Sequence, residues 1–130
     1  MYLSRKYFFT GGVINLKVAY VAGACRAKTK IEILINIIKA RRIAKKLWKM
    51  GYVVICPHGN SAFMANKQLP ESVFLDGYLS LLSRVDVVVL RPGWKKSAGT
   101  MEEVQVAFNL GKQIIDWQEC RQMERLERSH

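Results

Sequence analysis

The chain predicts an α/β fold: one parallel sheet of about four to five strands with helices on both faces, in a single domain. Three observations predict it. Short apolar runs alternate along the chain with longer segments of helical spacing. A run such as Val85 to Leu90 is apolar but for Asp86 near its start, as a strand covered on both faces requires. The loops after the apolar runs carry glycine or proline close to the strand end. Strands alternating with helices imply a parallel sheet covered on both faces, because each helix carries the chain back to the end of the sheet from which the next strand starts, with right-handed crossovers.

Taken in order, residues 1–16 hold two basic residues and several aromatics without a continuous apolar core, so they are expected to form a tail or edge element ahead of a domain over 17–130. Lys17 to Ala22 is the first strand, ending at Gly23. From Lys30 to Met50, apolar residues recur at Ile31, Leu34, Ile35, Ile38, Ala44, Leu47 and Trp48, a helical spacing that Gly51 is placed to stop. Tyr52 to Cys56 is a second strand, closed by Pro57. His58 to Leu69 has no strong pattern and is expected to be a loop. Pro70 suits a first helical position, with a helix to about Ser83. Val85 to Leu90 is the third strand, Thr100 to Leu110 the next helix, Gln113 to Ile115 a short fourth strand, and Trp117 to Arg128 a final helix. The pattern is Rossmann-like or flavodoxin-like, and in such sheets a ligand lies beyond the carboxyl ends of the strands.

Composition limits the partners. At 130 residues the chain is long enough to bury a core without staples. Half of it is hydrophobic, yet no run approaches the roughly 18 apolar residues of a membrane span. Cys25, Cys56 and Cys120 fit no zinc spacing, so reduced thiols in a cytoplasmic protein are expected, with no metal and no cofactor. Residues 1–70 carry 13 Lys and Arg against one acid, Glu32, whereas residues 71–130 carry 8 against 9 acids. A basic half attracts phosphorylated ligands or nucleic acid. The cluster Lys39, Arg41, Arg42, Lys45, Lys46 and Lys49 lies in one helix, where a solvated face is the favoured reading over a nucleic-acid contact.

Three loops converge at the strand ends: 23–26, 57–60 and 91–99. The last, Arg91-Pro-Gly-Trp-Lys-Lys-Ser-Ala-Gly-Thr-Met-Glu-Glu103, joins a strand to a helix start, which makes an anion site. Gly93 and Gly99 let backbone approach a ligand, and Ser97 and Thr100 add hydroxyl donors. Glu103, a carboxylate about one turn into the helix, is electrostatically awkward beside an anion and marks a reactive group. Gly23 opens the first loop to close approach. Arg26 either forks onto a phosphate or faces solvent. Tyr20 belongs to the core or to the site. Asp86 either bonds backbone amides or contacts substrate; Asp76 either faces water or does so. Trp94 stacks on a base or covers its loop. Cys25 has no evident histidine partner, and His58 is assigned a structural or loop role.

The set Tyr20-x-x-Gly23-x-x-Arg26, then Asp76 and Asp86, then Ser97-x-Gly99-x-x-x-Glu103-x-x-x-Ala107 resembles the nucleoside 2-deoxyribosyltransferase superfamily over about residues 17 to 116. That superfamily includes the 2'-deoxynucleoside 5'-phosphate N-hydrolases. The run Gly99-Thr-Met-Glu-Glu103 is also similar to a motif of Lonely-Guy-type nucleotide phosphoribohydrolases. The resemblance implies an N-glycosidic hydrolase or transferase acting on a nucleotide or (deoxy)nucleoside 5'-monophosphate. Glu103 would be the nucleophile, oriented by Tyr20. Ser97 and Arg26 would hold the 5'-phosphate, and Asp76 would contact the sugar or protonate the base. Gly23, Asp86, Trp94, Gly99 and Thr100 complete the expected substrate contacts. Ala24 and Ala27 stand where the N-hydrolases often carry Ser and Gly. The helix Asp usually lies eight residues before the strand Asp; Tyr78 occupies that place here, and Asp76 lies ten before. A catalytically silent nucleotide binder of the same fold is the alternative, and a nucleic-acid-associated basic protein a more distant one. Apolar residues on more than one face of the 30–50 helix, Ile33 and Ile37 among them, together with the resemblance, imply a homodimer or larger symmetric oligomer.

Overall fold

The computed structural model describes residues 16–24 and 27–129; expectations for residues 1–15, Cys25 and Arg26 lie outside the described residues. Strands β1 (Val18–Ala22), β2 (Val53–Ile55), β3 (Val87–Leu90) and β4 (Gln113–Asp116) form one parallel sheet in the order β2-β1-β3-β4. Helices α1 (Lys30–Lys49), α2 (Pro57–Ser61), α3 (Glu71–Leu81), α4 (Ala98–Asn109) and α5 (Trp117–Arg128) connect and follow the strands.

Register explains the core. Val21 pairs with Val89, and Val89 with Ile115, so equivalent side chains line up across the sheet. Successive strand residues point to opposite faces. Ala19, Val21, Val87 and Val89 therefore meet Ala40, Ile43, Ala44 and Leu47 of α1 on one side, with Trp117 at the start of α5 packed alongside. Tyr20, Ala22, Val88 and Leu90 meet Leu82, Val85 and Ala107 on the other. Every residue of β3 is buried, which is why that run contains no polar residue.

Helix ends follow local chemistry. Thr29 caps α1 by accepting from the Glu32 amide at 3.1 Å, and the Glu32 carboxylate accepts in turn from the Lys28 amide at 3.2 Å. Gly51, at φ 98°, takes the left-handed conformation that ends α1. Asp116 caps α5 through the Glu119 amide at 3.2 Å.

Several expectations are corrected. The first part of the apolar series picked out in α1 faces outward, with Ile31, Leu34, Ile35 and Ile38 45–70% exposed, whereas its Ala44 and Leu47 are buried and join Ile37, Ala40 and Ile43 in the sheet-facing stripe. Residues 57–61 form the short helix α2 in place of a loop, with Pro57 at its start. Pro70 is the extended cap residue of α3, not its first helical residue. The third strand begins at Val87 because α3 runs on into a tighter turn over Leu82–Arg84. α4 begins at Ala98, two residues earlier than expected, because Ser97 rather than a later residue caps it. No helix among the described residues is long and apolar enough to cross a membrane.

The strand order places a topological switch at β1. The chain leaves β1 towards β2 on one side, then returns to β3 on the other. The loops after β1 and β3 diverge there and leave a crevice beyond their carboxyl ends, the standard ligand position in doubly wound sheets.

Candidate active site

A cavity of about 700 Å³ occupies that crevice. The end of β1 supplies Tyr20, Gly23 and Ala24; α2 supplies Pro57, His58 and Ser61; α4 and its cap supply Ser97, Gly99, Thr100, Glu102 and Glu103. The fourth wall is one face of α3, Glu71, Phe74, Leu75 and Tyr78, spaced at three and four residues as a single helix face demands.

Inside the cavity, the Tyr20 hydroxyl donates a short hydrogen bond to Oε2 of Glu103. The two residues are 83 apart in sequence and meet because Tyr20 points to the face of β1 that α4 covers. Tyr20 is fully buried and Glu103 is 8% exposed. Burial raises the Glu103 carboxyl to about 7; the Tyr20 hydrogen bond works against that rise and neighbouring Glu102 adds to it. Burial, then the Glu103 charge, pushes the Tyr20 hydroxyl far upward, so it remains a donor.

The start of α4 is the cavity's donor-rich end. Ser97 Oγ accepts from the Thr100 amide at 3.2 Å. The first turn of a helix leaves amides with no intrahelical acceptor, and residues 98–100 line the cavity at that turn. Thr100 is 1% exposed and its Oγ1 has no hydrogen-bond partner among the described residues. A buried unsatisfied hydroxyl costs about 1–3 kcal/mol, which a ligand acceptor would recover. A Cβ at Gly99 would meet nothing within 4 Å, so that glycine leaves open space beside the helix start.

Other expected contacts lie elsewhere. Asp86 is exposed at the amino end of β3, where it accepts from the Val18 amide at 2.7 Å; it ties β1 to β3 at the edge opposite the cavity. Asp76 is exposed and does not line the cavity, because it falls between the cavity-facing positions of α3. Trp94 turns away to donate to Asp116 Oδ2 at 3.1 Å, with Lys95 stacked 5.6 Å from its ring, and so covers its loop rather than the cavity. Gly93 serves the turn at φ 84°. The basic cluster of α1 is exposed, and none of its residues lines the cavity.

Two residues were not assigned to the site by sequence. His58 is 8% exposed, lines the cavity and has an Nδ1 without a hydrogen-bond partner among the described residues; burial, then the Arg91 charge, lowers it to about 4, so the ring is neutral. Arg91 is 4% exposed and donates to the Asn36 carbonyl at 2.7 Å and to the Ala24 carbonyl. It fastens the first loop to α1, and a Cβ at Gly23 would strike its side chain, 2.9 Å from the Arg91 Cβ. Gly23 is therefore needed for packing against Arg91 as well as for the cavity wall. No periodicity marks His58, because it sits on a five-residue helix; the basic start of the glycine-rich motif was the only signal for Arg91.

The fold and this crevice define a doubly wound α/β protein with a buried carboxylate–tyrosine pair at its strand ends. Residues 17–116 match the model of a family described as a domain of unknown function, DUF4406, and the chain belongs to that family. No curated protein matches it.

Proposed function

We propose that the protein cleaves the N-glycosidic bond of a nucleotide or (deoxy)nucleoside 5'-monophosphate, passing the sugar to water or to another acceptor, with Glu103 as nucleophile. One observation carries the reading: the hydrogen bond from Tyr20 to a buried carboxylate inside a cavity at the switch point. Breaking a glycosidic bond builds oxocarbenium character at the anomeric carbon, which a carboxylate stabilises or traps. A single donor on one oxygen fixes the carboxylate while the other oxygen stays available. With Glu103 near 7, about half the molecules carry the carboxylate at neutral pH. The start of α4, with Ser97 and the unpartnered Thr100 hydroxyl, suits the 5'-phosphate. The resemblance to the nucleoside 2-deoxyribosyltransferase superfamily supports the same assignment of Tyr20, Ser97 and Glu103.

A catalytically silent nucleotide binder is the second reading, and the position of Asp76 favours it: the residue expected to assist the departing base is outside the cavity. Incubation of the protein with a panel of nucleotides, followed by chromatography for free base, separates the two. Base release from at least one nucleotide supports the enzyme; binding without release from any supports the silent binder. Affinity gives a second check. A phosphate held by charge-assisted bonds of about 1.5–3 kcal/mol each makes the monophosphate bind at least ~10-fold more tightly than its nucleoside. The outward apolar face of α1 is proposed to mate with a second copy of the chain.

A further inference from the structure

The cavity's charge runs against that of the molecule. The chain has 21 Lys and Arg, 10 Asp and Glu and a formal net charge of +11, yet the charged side chains lining the cavity among the described residues are Glu71, Glu102 and Glu103 against Lys96 alone. Lys96 adjoins the α4 cap, so the cavity has an anion-binding end at Ser97 and Thr100 and an acidic remainder. Aromatic rings stand beside the acids: Phe74 on α3, and Phe63, held at φ 63° in a conformation that L residues rarely adopt. Carboxylates with aromatic faces are the surroundings of a planar cation. The unpartnered, 1% exposed Thr100 hydroxyl in the same cavity is independent evidence that a ligand completes it.

Acid assistance to the leaving group is poorly provided for. On the face of α3 turned to the cavity, Tyr78 donates to Ser61 Oγ at 2.6 Å and accepts from Asn60 Nδ2 at 3.3 Å. His58 is neutral at physiological pH and carries no spare proton to give as an imidazolium. Glu71 and Glu102 are exposed to water. A neutral purine or pyrimidine leaves as an unstable anion unless it is protonated, and general acid assistance is worth about 10²–10⁴-fold in rate.

We infer that the substrate is an N-glycoside whose leaving ring is already cationic: a nucleotide of the pyridinium type, with the ring between the acidic and aromatic walls and the 5'-phosphate at the start of α4. This inference rests on the proposed function and narrows its substrate. In the first step a bond forms between a Glu103 carboxylate oxygen and the anomeric carbon while the C–N bond breaks. The bonding pair moves onto the ring nitrogen, which cancels its positive charge, so the ring departs neutral with no proton supplied. Water then attacks the same carbon, the Glu103 oxygen leaves as carboxylate, and the water's proton passes to solvent.

The test compares release of nicotinamide from nicotinamide mononucleotide with release of base from the four 2'-deoxynucleoside 5'-monophosphates and from AMP, using the full chain and Glu103→Gln as the blank. The expected result is nicotinamide release at least ~100-fold faster than release of any neutral base, and its loss in Glu103→Gln. Glu103-dependent release from a neutral nucleotide at an equal or greater rate overturns this inference and leaves the proposed function standing. Release from none of the substrates overturns both.

Discussion

Glu103 is an acid kept in low-dielectric surroundings by the fold, and its protonation is tied to stability. Its folded value, about 7, lies above the ordinary 4.5, so the folded state holds a proton that the unfolded state releases between those values. The associated stability is fully present below about 4.5 and is lost as pH rises through about 7, by at most about 3 kcal/mol. Glu103→Gln removes the term: denaturant titrations should show the wild type losing stability from pH 5 to 8 while the variant stays flatter. An equal slope in both proteins means the carboxyl is not buried as described. Thr100 offers a complementary check. Thr100→Val deletes a hydroxyl with no partner, so the unliganded protein should be as stable or more stable, whereas nucleotide affinity should fall by roughly 10-fold. Calorimetry with a monophosphate and thermal unfolding without it measure the two effects. Tyr20, Ser97, Gly99, Thr100 and Glu103 were legible as a set because strand ends and a helix start place them together. His58 and the cavity-facing choice of Tyr78 over Asp76 were not, since each depends on the rotation of a helix about its axis.

The same limit operates on whole elements. The sequence located α1 within a residue of its observed ends, with the glycine at 51 marking its stop, yet the series chosen there mixed the exposed Ile31, Leu34, Ile35 and Ile38 with the buried Ala44 and Leu47. Two apolar series share this helix, and spacing alone cannot say which faces the sheet; the small residues Ala40 and Ala44 mark the closely packed side. α4 was placed two residues late because Thr100 is as good a cap as Ser97 by type. Its cap makes a definite prediction. Ser97→Ala leaves the Thr100 amide without its acceptor and should cost about 1 kcal/mol in urea unfolding. It should also weaken monophosphate binding, because the helix start that holds the anion loosens. A variant with lowered stability but unchanged phosphate preference would remove Ser97 from the site.

At the scale of the molecule, the alternation of strands and helices was enough to predict a doubly wound parallel sheet, and the order β2-β1-β3-β4 puts its switch point under the cavity. Charge is partitioned as well: the exposed basic residues of α1 do not line the cavity, whereas Glu71, Glu102 and Glu103 do. Among the large apolar side chains left exposed within the described residues, Ile31, Leu34, Ile35 and Ile38 form one continuous face of α1. Such a face is expected to pair with its counterpart in a second copy. Sedimentation at micromolar concentration should show a dimer, and Ile35→Lys should convert it to monomer without unfolding it; a wild-type monomer would contradict the expectation. The chemistry proposed for the cavity depends on one carboxylate, and base release from Glu103→Gln measured beside Glu102→Gln reads its role. Glu103→Gln keeps the side chain's shape and removes the charge that meets the anomeric carbon, so turnover should fall by orders of magnitude, at least ~10²-fold, while nucleotide binding persists. Glu102→Gln, at the exposed rim, should retain most activity, with its pH profile moved to lower pH because the neighbouring charge no longer raises Glu103. Full turnover in Glu103→Gln would mean that Glu103 is not the nucleophile.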